Sequence, residues 1–202
     1  MELFPSLFCR LCAEGPVFGS CFCRFCEEKM RHALPRPRWE RIEELSVFSL
    51  IAWGRDNETP CRALLYDLKE SQDLRLFRFW SREWVRRLPP DTFHNAVLVP
   101  VPSSTGRLHS FLLARCLAET TGLEMVEALA LGKEERQPGK SRRERMKRRL
   151  RLKEGVDLLS YKSVLLIDDV TTSGATLLGC KKALRGSQKV AALTVFRREP
   201  SA

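Results

Sequence analysis

The sequence predicts an α/β fold: a parallel sheet flanked by helices, preceded by a small cysteine-rich module. Three observations predict it. Short apolar runs bounded by polar turns alternate with segments of helical spacing from residue 46 to the C-terminus, the pattern of strands that pair in parallel through crossover helices. Five of the eight cysteines crowd into residues 9–26, where few aliphatic side chains lie between them. The segment LPRPRW, residues 34–39, separates the two parts, because its prolines enforce an extended connector. The boundary is placed there: residues 1–35 as a four-cysteine module and residues 36–202 as the α/β domain.

In order along the chain, SVFSLIAW (46–53) reads as a strand. Residues 59–69 carry Leu64, Leu65 and Leu68 at helical spacing, and residues 73–88 carry Leu76, Phe79, Trp80 and Val85. Pro89 and Pro90 end the second helix. AVLVPV (96–101) is a short buried strand, 107–121 a helix with Gly122 as its stop, and 125–129 a further candidate strand. A charged stretch follows (133–154), then a strand at 163–167, a helix at 175–184 and a strand at 190–195. Ligands of such sheets lie at the carboxyl ends of the strands.

Composition narrows the class. In 202 residues, 44% are hydrophobic, enough to bury one ordinary core. The net charge of +10 favours anionic partners: nucleic acid, polyphosphate or acidic lipid. No apolar run reaches membrane-spanning length, and MELFPSLFCRLC lacks the basic and apolar regions of a secretory signal, so a cytoplasmic protein is expected. Cys61, Cys116 and Cys180 sit among apolar neighbours and read as small buried hydrophobes.

The most informative stretch is VLLIDDVTTSGATL, residues 164–177. Four apolar residues make a central strand. Asp168 and Asp169 follow, and their mutual repulsion is useful where sugar hydroxyls and a divalent cation receive them. Thr171, Thr172, Ser173, Gly174, Ala175 and Thr176 then lead into a helix. Small residues let backbone N–H groups close round an anion, hydroxyls add donors, and the helix dipole adds field. Gly139-Lys140-Ser141 imitates the end of a Walker A loop, but Glu134 stands where the upstream glycine belongs.

Cys9-x2-Cys12 and Cys23-x2-Cys26 have the spacing of paired knuckles that set four thiolates tetrahedrally around Zn²⁺. Four thiolates leave no open position, so the site reads as structural. A redox CxxC pair and a metal-free module are the alternatives, and Cys21 replaces Cys23 as a ligand if Cys23 is not one. Residues 140–153 form a basic run, read in three ways: cations that close over a polyphosphate, a salt-sensitive contact for single-stranded DNA, or a solvated charged helix. The histidines carry little signal; His109 lies near the turn after the 96–101 strand.

Residues 164–177 resemble the phosphoribosyl pyrophosphate (PRPP) signature of type I phosphoribosyltransferases. The resemblance implies that fold. It also implies that Asp168 and Asp169 contact the ribose hydroxyls with Mg²⁺ nearby and that Thr171 to Thr176 cradle the 5-phosphate. The 6-oxopurine salvage members carry a third acid where this chain has Thr172. Joined to the cysteine pairs, the Pro100-Val101-Pro102 turn and Gln137, Ser141 and Arg145, the loop resembles the ComF family, associated with natural competence. That resemblance implies pyrophosphate binding at residues 100–107, through Val101, Pro102, Ser103 and Arg107. It implies a hood at about 131–155 whose Arg145 neutralises departing pyrophosphate. The family's Arg-Gly-Phe-Asn run after the turn is here His109-Ser110-Phe111-Leu112, and its hood asparagine is Arg148. Two functions follow as expectations. One is a phosphoribosyl transferase with an unidentified acceptor. The other is a non-catalytic protein of DNA uptake that binds single-stranded DNA or senses PRPP, beside a competence helicase.

Overall fold

The apolar runs expected to be buried strands lie side by side in one sheet. The computed structural model describes residues 8–14, 17, 21–33, 38–55, 58–132, 150–184, 186 and 189–198. Its strands are β1 (Arg38–Ile42), β2 (Leu45–Trp53), β3 (Ala96–Pro100), β4 (Leu129–Leu131), β5 (Leu150–Leu152), β6 (Ser163–Thr171) and β7 (Lys189–Arg198). Its α-helices are α1 (Arg24–Ala33), α2 (Glu58–Glu70), α3 (Leu74–Arg87), α4 (His109–Thr121) and α5 (Ala175–Leu184). The main sheet has the order β1-β2-β7-β6-β3. The pairs β2–β7, β7–β6 and β6–β3 are parallel, and only β1 runs antiparallel. The fold is therefore α/β, a mostly parallel five-stranded sheet flanked by helices.

Alternation along the strands divides the core in two. Leu165 and Ile167 of β6 join Trp80 and Trp84 of α3 and Leu113 and Leu117 of α4 on one face. Val164 and Leu166 join Leu177, Cys180 and Leu184 of α5 on the other. Period two in the strands and opposite helices thus produce both faces from one apolar run. Cys61, Cys116 and Cys180 are buried, as expected of small hydrophobes. Burial pushes the Cys61 thiol up to about 11. Among the described residues, no helix is long and apolar enough to cross a membrane.

The N-terminal cysteine region shares the α3–α4 core. Phe22, 1% exposed, meets Phe79 of α3 edge-on at 4.9 Å between ring centres. Arg10 pairs with Asp67 at the end of α2 and, at 3.3 Å, with Asp73, the N-cap of α3. Cys9, Val17, Cys26 and Met30 are buried in the same cluster.

Several local expectations shift. Helix α4 begins at His109 rather than Arg107 and stops at Gly122, whose φ of 74° is the left-handed cap that glycine favours. The expected strand at 125–129 shrinks to one bridge, Met125 to Leu98. There the Ala128 N–H bonds back to Val126 and turns the chain away, so the strand forms at Leu129–Leu131 and pairs with β5. Strand β6 runs past Ile167 to Thr171 because β7 continues beside it, Thr171 opposite Arg197. Strand β3 stops earlier: Pro100 is opposite Ile167. Asp168 and Asp169 therefore stand beyond the end of β3.

Candidate functional site

Strand β6 carries the acid pair past the end of β3, and α4, which follows β3, meets it there. Asp168 and Asp169 are 9% and 3% exposed. Ser110 Oγ donates to Asp168 Oδ1 at 2.9 Å, and the Asp169 N–H donates to the same oxygen at 3.0 Å. Burial and the adjacent Asp169 carboxylate push Asp168 well above the usual carboxylate range, against the pull of those two donors. Asp169 Oδ2 accepts no hydrogen bond among the described residues. It faces the Lys69 ammonium at 3.6 Å and His109 Nε2 at 3.7 Å. Burial pushes the His109 imidazole below its ordinary pKa; Asp169 opposes that, and Lys69 and Arg107 reinforce it.

Past the acids, the chain makes the expected loop. Gly174 has φ +71°, and a Cβ placed there would lie 2.7 Å from Ile42 Cγ2. Two independent reasons therefore require glycine: the left-handed backbone and the packing of the loop against β1. The Arg197 guanidinium holds the Thr172 carbonyl and pairs with Glu40, tying the loop to β7 and β1. Thr171 Oγ1 is buried without a hydrogen-bond partner among the described residues. Thr171, Thr172, Ser173, Gly174, Ala175, Thr176 and Leu177 line one open pocket, closed on its other sides by Pro102, Leu131, Leu150 and Val170. Helix α5 begins at Ala175, so its N-terminus meets this pocket.

Of the expected pyrophosphate turn, Pro102 reaches the pocket. The Val101 side chain is buried and its N–H bonds to the Ile167 carbonyl at 3.0 Å, so it offers a ligand neither. Ser103 Oγ lies 3.0 Å from Thr105 Oγ1. Arg107 pairs with Glu70 at 2.6 Å, next to Lys69. Arg145, Gln137, Ser141 and most of the basic run lie outside the described residues. Sequence reasoning missed Lys69 and Ser110 and gave His109 little weight. The usable signal was position: His109 and Ser110 open the helix after β3, the strand beside β6.

The second cluster is the cysteines. One sulfur from each of Cys9, Cys12, Cys23 and Cys26 lies within 4.8 Å of the others. Cys12 and Cys23 Sγ are 3.9 Å apart. Four sulfurs at ~2.3 Å from one tetrahedral ion stand about 3.8 Å apart, so the set is compatible with a zinc site. The Leu11 N–H reaches Cys9 Sγ at 3.4 Å, and the Cys26 N–H reaches Cys23 Sγ at 3.5 Å. Burial raises the Cys9 thiol, yet backbone donors from Cys23, Cys12 and Leu11 outweigh it and hold the thiol below its ordinary value. Burial and the three neighbouring thiols push Cys26 up. Cys21 is fully buried and outside the four.

Compared with family models and with curated proteins, the chain gave no match.

Proposed function

We propose that this chain has the type I phosphoribosyltransferase fold of the ComF type and binds PRPP·Mg²⁺ on residues 164–177, with a structural zinc on Cys9, Cys12, Cys23 and Cys26. The observation that carries the reading is a pocket formed by a small-residue loop with a required glycine and a helix N-terminus, directly after a buried acid pair on the same strand. Asp168 and Asp169 would accept hydrogen bonds from the ribose hydroxyls. The loop N–H groups and the hydroxyls of Thr171, Thr172, Ser173 and Thr176 would take the 5-phosphate. The orphan hydroxyl of Thr171 supports this assignment.

The reaction that suits such a site is phosphoribosyl transfer. A nitrogen of the acceptor forms a bond to the anomeric carbon and gives up a proton. The bond from that carbon to pyrophosphate breaks, and pyrophosphate leaves with the electron pair. Positioning and charge stabilisation do most of the work. Mg²⁺ supplies positive charge to the pyrophosphate, and Arg107 and Arg145 supply more from the protein. Pyrophosphate release from PRPP, screened against a panel of nitrogen bases, tests for turnover. No release with any base removes the transferase and leaves a PRPP-binding protein.

A second reading has its own observation, the net charge of +10. It is an accessory protein of DNA uptake that binds single-stranded DNA through counterion release, in company with a competence helicase. A gel shift with single-stranded DNA across a salt series tests it. Retention should fall steeply with salt, and no retention at low salt removes this reading.

A further inference from the structure

The acid pair has a third donor that a phosphoribosyl ligand does not call for. His109 is 8% exposed, buried at the first turn of α4. Its Nε2 is 3.7 Å from Asp169 Oδ2, beyond hydrogen-bond distance, and its Nδ1 has no partner among the described residues. Nδ1 is the buried nitrogen left unmet among the described residues, and Nε2 is the nitrogen turned towards the Asp169 carboxylate. One ligand atom from each of His109, Asp168 and Asp169 lies within 4.8 Å of the others.

We infer that His109, Asp168 and Asp169 form a protein-held site for one divalent first-row cation of the Mn²⁺, Fe²⁺ or Zn²⁺ class, filled without any phosphoribosyl ligand, and that Lys69 is the tethered cation that competes for it. The donor set sets the class. Mg²⁺ prefers oxygen ligands and keeps its waters, whereas an imidazole nitrogen beside two carboxylates favours a transition ion. Geometry is close to what such an ion needs. Two donors ~2.1 Å from one ion stand about 3.0 Å apart at a right angle and about 3.4 Å at the tetrahedral angle. The 3.7 Å between His109 Nε2 and Asp169 Oδ2 closes with a shift of a few tenths of an ångström. Ser110, next to His109, fixes Asp168 through its hydrogen bond to Oδ1, as outer partners of metal ligands do.

Lys69 explains how the site tolerates its charge without the ion. Its ammonium lies 3.6 Å from Asp169 Oδ2, and its side chain is 30% exposed. A flexible four-carbon stem at the end of α2 can swing that charge into solvent as a metal arrives. Removing the charge should therefore strengthen metal binding, an effect opposite to the one expected of a structural ion pair.

The test uses metal alone. The full chain, with one equivalent of Zn²⁺ on its cysteines and excess metal removed by gel filtration, is titrated with Mn²⁺, free Mn²⁺ being followed by electron paramagnetic resonance. Thiolates favour softer ions, so the cysteine cluster does not take up this probe. One Mn²⁺ per chain should bind, at least about tenfold more tightly than Mg²⁺. His109→Ala should weaken Mn²⁺ about tenfold or more and abolish the preference over Mg²⁺. Lys69→Met should tighten Mn²⁺ several-fold. Absence of Mn²⁺ binding overturns the inference, as does equal affinity in the folded His109→Ala protein. If His109→Ala does not fold, Lys69→Met decides, and an unchanged affinity there overturns it. PRPP is left out, so failure of this site and failure of the PRPP reading are separate results.

Discussion

Two regions of this molecule crowd like groups together, and they do so on opposite terms. In the cysteine cluster, four sulfurs gather within 4.8 Å, with backbone N–H groups of Leu11 and Cys26 aimed at two of them. On β6, two adjoining carboxylates are buried with Ser110 donating to one and Lys69 facing the other. An ion among the sulfurs would add stability to a region with few aliphatic residues of its own. The acids are fixed on β6 beside β7, with Ser110 of α4 reaching Asp168, and that packing bears their mutual repulsion. Crowding that stabilises once filled marks a structural site. Carboxylates held at such a cost are concentrated at functional sites.

The largest effect separates the two regions directly. Chelation, or Cys12→Ser, should lower the melting temperature by about 10 °C, on the order of 4 kcal/mol for a chain of this size. A melting temperature indifferent to chelator breaks the comparison on its structural side. Next comes the attachment of that region. Phe22→Ala should cost about 3 kcal/mol in urea unfolding, because the ring is buried against Phe79 in the shared core. A loss confined to a separate early transition would show that the cysteine region unfolds independently.

Gly174→Ala should cost about 1–2 kcal/mol from the left-handed backbone alone, plus the contact with Ile42. Adding Ile42→Ala should return the contact part and leave the backbone part, read as a double-mutant cycle.

The smallest effect has the opposite sign. Asp168 has its pKa raised, so its contribution to stability is fully present below the unfolded value, near 3.8, and is lost as pH rises through the folded value. Asp168→Asn removes that loss while keeping an acceptor for Ser110. Without added metal, it should raise the melting temperature at neutral pH by roughly 2–4 °C, corresponding to ~1 kcal/mol. It should leave acid stability unchanged. His109, with its pKa lowered, acts in the other direction, losing stability as pH falls below about 6.5. Taking the difference between variant and wild type at each pH isolates Asp168. A variant less stable than wild type at neutral pH would mean that the acid pair is a structural element.

The sheet was legible because its strands are continuous apolar runs, and the small-residue loop before α5 because it is contiguous in residues 164–177. Strand β1 was not: RWERI has three charged residues in five and becomes a strand only as the antiparallel edge of β2. Helix α1 was not read at all, because the cysteine spacing dominated that region, although Cys26 and Met30 of the helix pack into the common core. Lys69 and Ser110 were invisible for a different reason. Neither belongs to a local motif, and each reaches the acids from about a hundred and about sixty residues away in the chain. The Gly174–Ile42 contact is likewise long-range, so a local reading of the loop does not reveal that packing.

Calorimetric titration of PRPP·Mg²⁺ into the full chain asks directly whether residues 164–177 hold this ligand. One equivalent should bind. The Asp168→Asn/Asp169→Asn double variant, still folded, should bind at least about a hundredfold more weakly, the cost of two lost charge-assisted contacts. No binding to the wild type, or binding that the double variant retains unchanged, would contradict the assignment.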